Sequence, residues 1–149
     1  MHNDFSQGGQ IVFLSDNEGN ACPIAWKSTK LRRVARSALA DETMSLCDGC
    51  ELAHYLGALV EPIFGTIKPI CGYIDSQSLF ETLGTTSQGS DVRLRVEISA
   101  LRQMVEEGDI RVFWIEKEIQ IADALTKNTA SDKLLVQVLQ EGAFPEFMM

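Results

Sequence analysis

No stretch of this chain stays apolar long enough to cross a bilayer. Its wholly aliphatic or aromatic runs are short, Ile11-Val-Phe-Leu14 being typical, where a spanning helix needs about 20 residues. The first ten residues are polar, with adjacent glycines at 8 and 9, and lack the charged-then-apolar pattern of a secretory signal. An intracellular setting is the expectation. Histidine is scarce, with only His2 and His54. The first lies close to the chain end, and the second reads as a helix-surface residue rather than a base. A Walker-type glycine loop and a Gly-x-Ser-x-Gly elbow are both missing, so nucleotide hydrolysis and esterase chemistry lack support. Four cysteines, at 22, 47, 50 and 71, are few for a disulfide scaffold. Cys47-Asp-Gly-Cys50 has CxxC spacing, but no second CxxC or histidine pair completes a zinc site. At i and i+3 of a helical pattern, these two read as small packed hydrophobes.

What remains suits one globular domain: 149 residues, 45% of them hydrophobic, enough for a core. Lys and Arg number 13 against 21 Asp and Glu, a net charge of −8, which taken whole opposes binding to a polyanion. The charge is unevenly spread. Lys27, Lys30, Arg32, Arg33 and Arg36 fall within ten residues that hold no acid. With five of the 13 basic groups placed there, the other 139 residues carry eight against 21 acids, a net of −13. Such a strip fits a phosphate-contacting surface beside an acidic metal site, or simply a solvated entry to a helix.

Two apolar runs, Ile11-Val-Phe-Leu14 and Ala21-Cys-Pro-Ile-Ala-Trp-Lys27, flank a turn-rich hexapeptide and predict an antiparallel hairpin, with Pro23 on an edge strand or at its start. Residues 34–60 change period. Leu39, Leu46, Cys50, Ala53, Gly57 and Val60 form the stripe of a long helix that should end before Pro62. Pro69-Ile-Cys-Gly-Tyr-Ile-Asp75 reads as a buried strand, followed by a short helix over 77–83 and a polar loop over 84–90. Asp91 reads as N-cap of a clear helix with stripe Leu94, Ile98, Leu101 and Val105 and outer pairs Arg93–Glu97 and Arg102–Glu106, ended by Gly108. A strand over 110–115, a helix over 118–127 and a final amphipathic helix over about 131–140 complete the series. The last presents Leu134, Leu135, Val138 and Leu139. Trp26 and Trp114 fall in strand patterns and are expected to be core or half-buried. The order implies a single mixed α/β domain whose strands, separated by helices, pair in parallel. Only four strands are visible.

Three acids interrupt the pattern. Glu42 lies within the apolar stripe of the long helix, where an unpaired charge is costly. It is either a boundary residue paired with an arginine or a ligand. Asp75 closes a strand at its carboxyl end, where α/β folds place ligand sites, or it caps the following helix. Asp123 either pairs with Lys127 at i, i+4 or joins the other two. Three converging carboxylates call for a divalent cation, and oxygen-only ligation favours Mg²⁺ or Mn²⁺. Two such ions about 4 Å apart serve phosphodiester hydrolysis.

In order, Trp26-Lys-Ser-Thr-Lys30, Val34-Ala-Arg-Ser-Ala-Leu-Ala-Asp-Glu-Thr43, Tyr73-Ile-Asp-Ser-Gln-Ser-Leu79 and Gln120-Ile-Ala-Asp-Ala-Leu-Thr-Lys127 resemble the ribonuclease H domain that ends the Pol polyprotein of copia-type retrotransposons. The resemblance runs from Ser6 to about Gly142. It implies an RNase H-like mixed sheet flanked by helices and a hydrolase that cuts the RNA strand of an RNA–DNA hybrid with Mg²⁺ or Mn²⁺, beside the reverse transcriptase of the same polyprotein. Glu42, Asp75 and Asp123 match its catalytic, metal-holding acids. Lys27, Lys30, Arg32, Arg33 and Arg36 would lie near the hybrid backbone. The family's first, central strand, which bears a further catalytic aspartate upstream of the Ser6-Gln-Gly-Gly9 stretch, is missing. Asp4 is too close to that stretch to stand in for it, and Asp16 falls in the hairpin turn. The expectation is an N-terminally truncated RNase H-like domain over 1–149, with a C-terminal helix and tail from about 131. It is either a nuclease weakened or silenced by the loss, or a degenerate, non-catalytic module that binds nucleic acid or packs on a reverse transcriptase.

Overall fold

The computed structural model describes residues 7–30, 37–85, 92–126 and 131–148. Arg32, Arg33, Arg36, Asp4, Asp91 and Lys127 lie outside them, as does the side chain of Arg93. The hairpin forms as expected but runs longer. Strands β1 (Gln7–Ser15) and β2 (Ala21–Lys30) pair antiparallel, with an irregularity between Val12 and Phe13 opposite Pro23. Pro23 is tolerated because β2 has no second neighbour among the described residues. Asp16 shapes the turn, its carboxylate accepting from the backbone N–H of Glu18 and Asn20 and from the Asn20 amide. Those donors hold its pKa below the ordinary carboxylate value.

Helix α1 (Ala38–Phe64) starts where Ser37 caps it, the Ser37 Oγ accepting from Ala40 N. It does not stop before Pro62 but contains it, ending at Gly65, φ 77°. A proline this close to a C-terminus removes a single ladder bond, so the last turn survives. Thr43 is fully buried on its inner side, its hydroxyl donating to Leu39 O at 2.7 Å.

Strand β3 (Ile70–Ile74) leads through Ser76, the N-cap, into α2 (Gln77–Leu83). Helix α3 (Val92–Glu106) then returns the chain to β4 (Ile110–Trp114), parallel to β3 as the crossover requires. Gly108 turns the chain with φ 78°. The main core fills the space between these elements: Leu46, Cys50, Ile74, Leu79, Leu101 and Ile110. Cys47 packs at its rim, so the two CxxC thiols are packing groups. Burial raises both pKa values, that of Cys50 to about 11.

Several expectations are corrected. Strand β3 is not buried throughout, because Cys71 and Tyr73 face solvent, Tyr73 stacked on Phe113 at 5.3 Å. Val105 and Leu139 lie at the edges of their helix stripes and are exposed. Arg102 reaches back to Thr82 O at 2.6 Å. Trp26 is 69% exposed and Trp114 43%, since the outer faces of both strand pairs carry little cover. The helix expected over 118–127 is two 3-10 turns, Lys117–Ile119 and Ile121–Leu125. Between them Gln120 turns extended, its side chain donating to Tyr73 O at 3.1 Å. The last helix, α4 (Lys133–Glu141), ends on left-handed Gly142. The chain then stitches itself to the hairpin turn through Ala21 N to Gly142 O and Phe144 N to Gly19 O, with Phe144 edge-on to Phe13.

The result is a mixed α/β arrangement in which, among the described residues, four strands form two separate two-stranded sheets, β1–β2 antiparallel and β3–β4 parallel. Helix α1 packs against both. Among the described residues no helix is long and apolar enough to cross a membrane.

Candidate functional site

Between the two sheets lies a cleft of about 520 Å³, far larger than the water-sized voids of a packed core. All of β1 forms one wall and all of β3 the other. The floor is α1, from Asp41 to Val60, and the turn around Gln120 to Asp123 lines it as well.

The three acids singled out in the sequence all line this cleft. Glu42 comes from the first turns of α1, half-buried. Asp75 directly follows β3 and is also half-buried. It does not cap α2, because Ser76 takes that role, its hydroxyl accepting from Leu79 N at 3.2 Å. Trp114 Nε1 instead donates to the Asp75 carbonyl at 3.3 Å, and Ile115 N to Ile74 O at 2.8 Å, which fixes the strand end. Asp123 sits in the second 3-10 turn, whose end is closed by Thr126 N and Oγ1 donating to Asp123 O. That turn lies directly on β1. A β-carbon at Gly9 would stand 2.5 Å from Thr126 Cγ2, 3.2 Å from Ala122 O and 3.3 Å from Leu125 Cβ.

Two residues with a place in the cleft were not singled out. Asp41 precedes Glu42 and also lines it. Gln10 donates through Nε2 to Ser45 O and Oγ at 3.3 Å, while its Oε1 is buried without a donor among the described residues. The Gly8–Gly9 pair was the available signal, since glycine within a strand marks a close backbone approach. Of the basic strip, Lys27 and Lys30 lie exposed on β2, outside the cleft lining.

An all-carboxylate donor set suits a hard divalent cation. The spacing is less complete: among the described residues no three His, Cys, Asp or Glu side chains come together closely enough to hold an ion. The fold and cleft define a mixed α/β protein with two small sheets and an acid-lined cleft between them. No family model, curated protein or solved structure matches the chain.

Proposed function

We propose that the chain is an RNase H-like module of retroelement origin that engages RNA–DNA hybrids, with Glu42, Asp75 and Asp123 as the carboxylates for hydrolysis of the RNA strand. One observation carries this reading: acids from a helix, a strand end and a late turn line a single cleft. Drawn closer together than the structure has them, these three would hold Mg²⁺ or Mn²⁺, which when bound would supply an activated water and stabilise the leaving oxygen. The protein's own part is positional. The Trp114 bond to the Asp75 carbonyl holds one acid at its strand end, and the packing of Gly9 on the Asp123 turn holds another. Lys27 and Lys30, with Arg32, Arg33 and Arg36 of the same strip, take the hybrid's phosphates, so binding weakens as salt rises. The reverse transcriptase region of the same polyprotein is the proposed neighbour.

The test is cleavage of a labelled RNA–DNA hybrid by the purified chain in Mg²⁺ and in Mn²⁺, with Asp75→Asn as control. Cleavage lost in that variant supports the nuclease. A second reading is favoured by the spread of the acids: a non-catalytic module that binds the hybrid without cutting it. Salt-dependent binding by a folded chain that never cleaves selects that reading, and no binding at all rejects both.

A further inference from the structure

Helix α1 outruns the strands and the helix it packs on. Leu46 lies against Gly72 in the middle of β3. About two turns on, His54 is close enough to Asp109 to help lower its pKa, and Asp109 O accepts from Ile70 N at 2.9 Å. His54 is therefore level with the first residues of β3 and β4. Helix α3 ends at the same level, at Glu106, where Gly108 turns the chain into β4. Residues 57–64 carry α1 about 12 Å beyond that edge.

The outward face of α1 is apolar along this stretch. Tyr55, Leu59 and Ile63 follow one another at i, i+4 and i+8 and are 63%, 57% and 76% exposed. That spacing sets them in one row. A lone exposed apolar residue is ordinary, whereas a row of three on one helix face marks a contact surface. Acids frame the row. Asp48 and Glu51, both exposed, continue the same face toward the N-terminus. Glu61 stands in the last turn, which holds no basic residue, and the whole helix contains neither Lys nor Arg. A helix C-terminus already carries partial negative charge, which favours a cation nearby. The first basic residue after the helix, Lys68, is bound to Asp109 at 2.7 Å. It also feels Glu61 and Glu107, which raise its pKa. The surface is thus apolar along its length and anionic at both ends.

We propose that this face of α1 docks a basic amphipathic helix of a partner protein. The partner's apolar row lies along Tyr55, Leu59 and Ile63. Its Lys or Arg side chains meet Asp48 and Glu51 at one end, and Glu61 with the helix terminus at the other. Charge selects this occupant. A second copy brings the same acids and no Lys or Arg on its own α1, so packing α1 on α1 sets like charges together. Nucleic-acid phosphates and anionic bilayers are turned away by the same acids. From Asp48 to Ile63 is about 22 Å, so the docked segment has about 15 residues. It carries apolar groups at i, i+3 or i+4 and i+7. None of these α1 residues lines the cleft, and the proposal holds whether or not the chain cuts nucleic acid.

The experiment selects a displayed library of random peptides of about 15 residues on the purified chain, with counter-selection on a Leu59→Ser/Ile63→Ser variant. Both replaced side chains are exposed, so that variant keeps the parent's urea midpoint. Synthetic copies of the enriched peptides are titrated by calorimetry and mapped by amide chemical shifts. Supporting the proposal, the peptides are cationic with apolar residues at helical spacing, and they shift amides within 48–64. They bind the serine variant at least tenfold more weakly, yet bind Val96→Ser, altered at an exposed apolar site on α3, as they bind the parent. Reversing charge with Glu51→Lys/Glu61→Lys weakens binding at least tenfold at about 0.1 M salt. The difference shrinks at about 1 M, as the screening length falls from about 10 Å to about 3 Å. Three results overturn the proposal: no enrichment that depends on Leu59 and Ile63, enriched peptides that are acidic or lack a helical period, or dimerisation of the parent that the serine variant abolishes, which gives the face to a second copy.

Discussion

Replacing Gly9 by alanine tests whether β1 and the Asp123 turn are locked together as closely as the structure has them. The new β-carbon would stand 2.5 Å from Thr126 Cγ2, well inside the usual carbon–carbon contact of about 3.5–4.0 Å. Thr126 cannot easily yield. It is β-branched and stiff at χ1, and its hydroxyl is committed to Asp123 O. The second neighbour, Ala122 O at 3.2 Å, is backbone. Overpacking of this kind costs about 1–3 kcal/mol. Alanine recovers about 0.4–1 kcal/mol by restricting the unfolded chain, leaving a net loss of about 1–2 kcal/mol. With a urea m-value of about 2 kcal/mol per molar, the midpoint falls by about 0.5–1 M. Thr126→Ser removes Cγ2 and keeps the hydroxyl. In that background Gly9→Ala should cost under about 0.5 kcal/mol, a coupling of about 1 kcal/mol across the cycle. Equal cost in both backgrounds, or no cost in either, would refute the close approach.

Leu101→Ala, at a core position 1% exposed, should cost about 2–5 kcal/mol, whereas Leu139→Ala, 50% exposed, should cost under about 1 kcal/mol in the same urea titrations. Lys68 Nζ binds Asp109 Oδ1 at 2.7 Å, which lowers the Asp109 pKa and raises that of Lys68. The pair's contribution is therefore present between the ordinary values of about 4 and about 10.4. It fades as pH falls through the lowered Asp109 value or rises through the raised Lys68 value. Midpoints of the parent and Asp109→Asn should accordingly differ near neutral pH and converge in strong acid. Cys22 and Cys71 are exposed, while Cys50 is buried and Cys47 half-buried with raised pKa values. A disulfide reagent at pH 8 should therefore titrate two thiols quickly and two only on unfolding.

How much of this was legible depended on whether the signal was local. The hairpin, α1, α2 and the β3–β4 crossover follow from period and capping, which neighbouring residues set. Gly108 ends α3 as expected, whereas Ser76 rather than Asp75 caps α2. The region 117–125 misled because its composition suits a helix, yet the Gln120 side chain bonds across to Tyr73 O, a contact no local pattern contains. The exposure of Trp26, Tyr73 and Trp114 was equally hidden, since a strand's apolar face is buried only if another element covers it. The acids were legible because each breaks a pattern. Their common cleft was not, except through the shortage of strands.

That shortage bears on the acids directly. Asp75 follows one wall of the cleft and Asp123 lies on the turn packed against the other, with Glu42 on the floor between them. The width of that cleft therefore sets the spacing of the three carboxylates. If these acids are the proposed cation site, a cation that binds the folded chain stabilises it by mass action. Mg²⁺ should raise the urea midpoint of the parent and leave that of Asp75→Asn where it was. Equal midpoints with and without Mg²⁺ in the parent would place the cation site elsewhere.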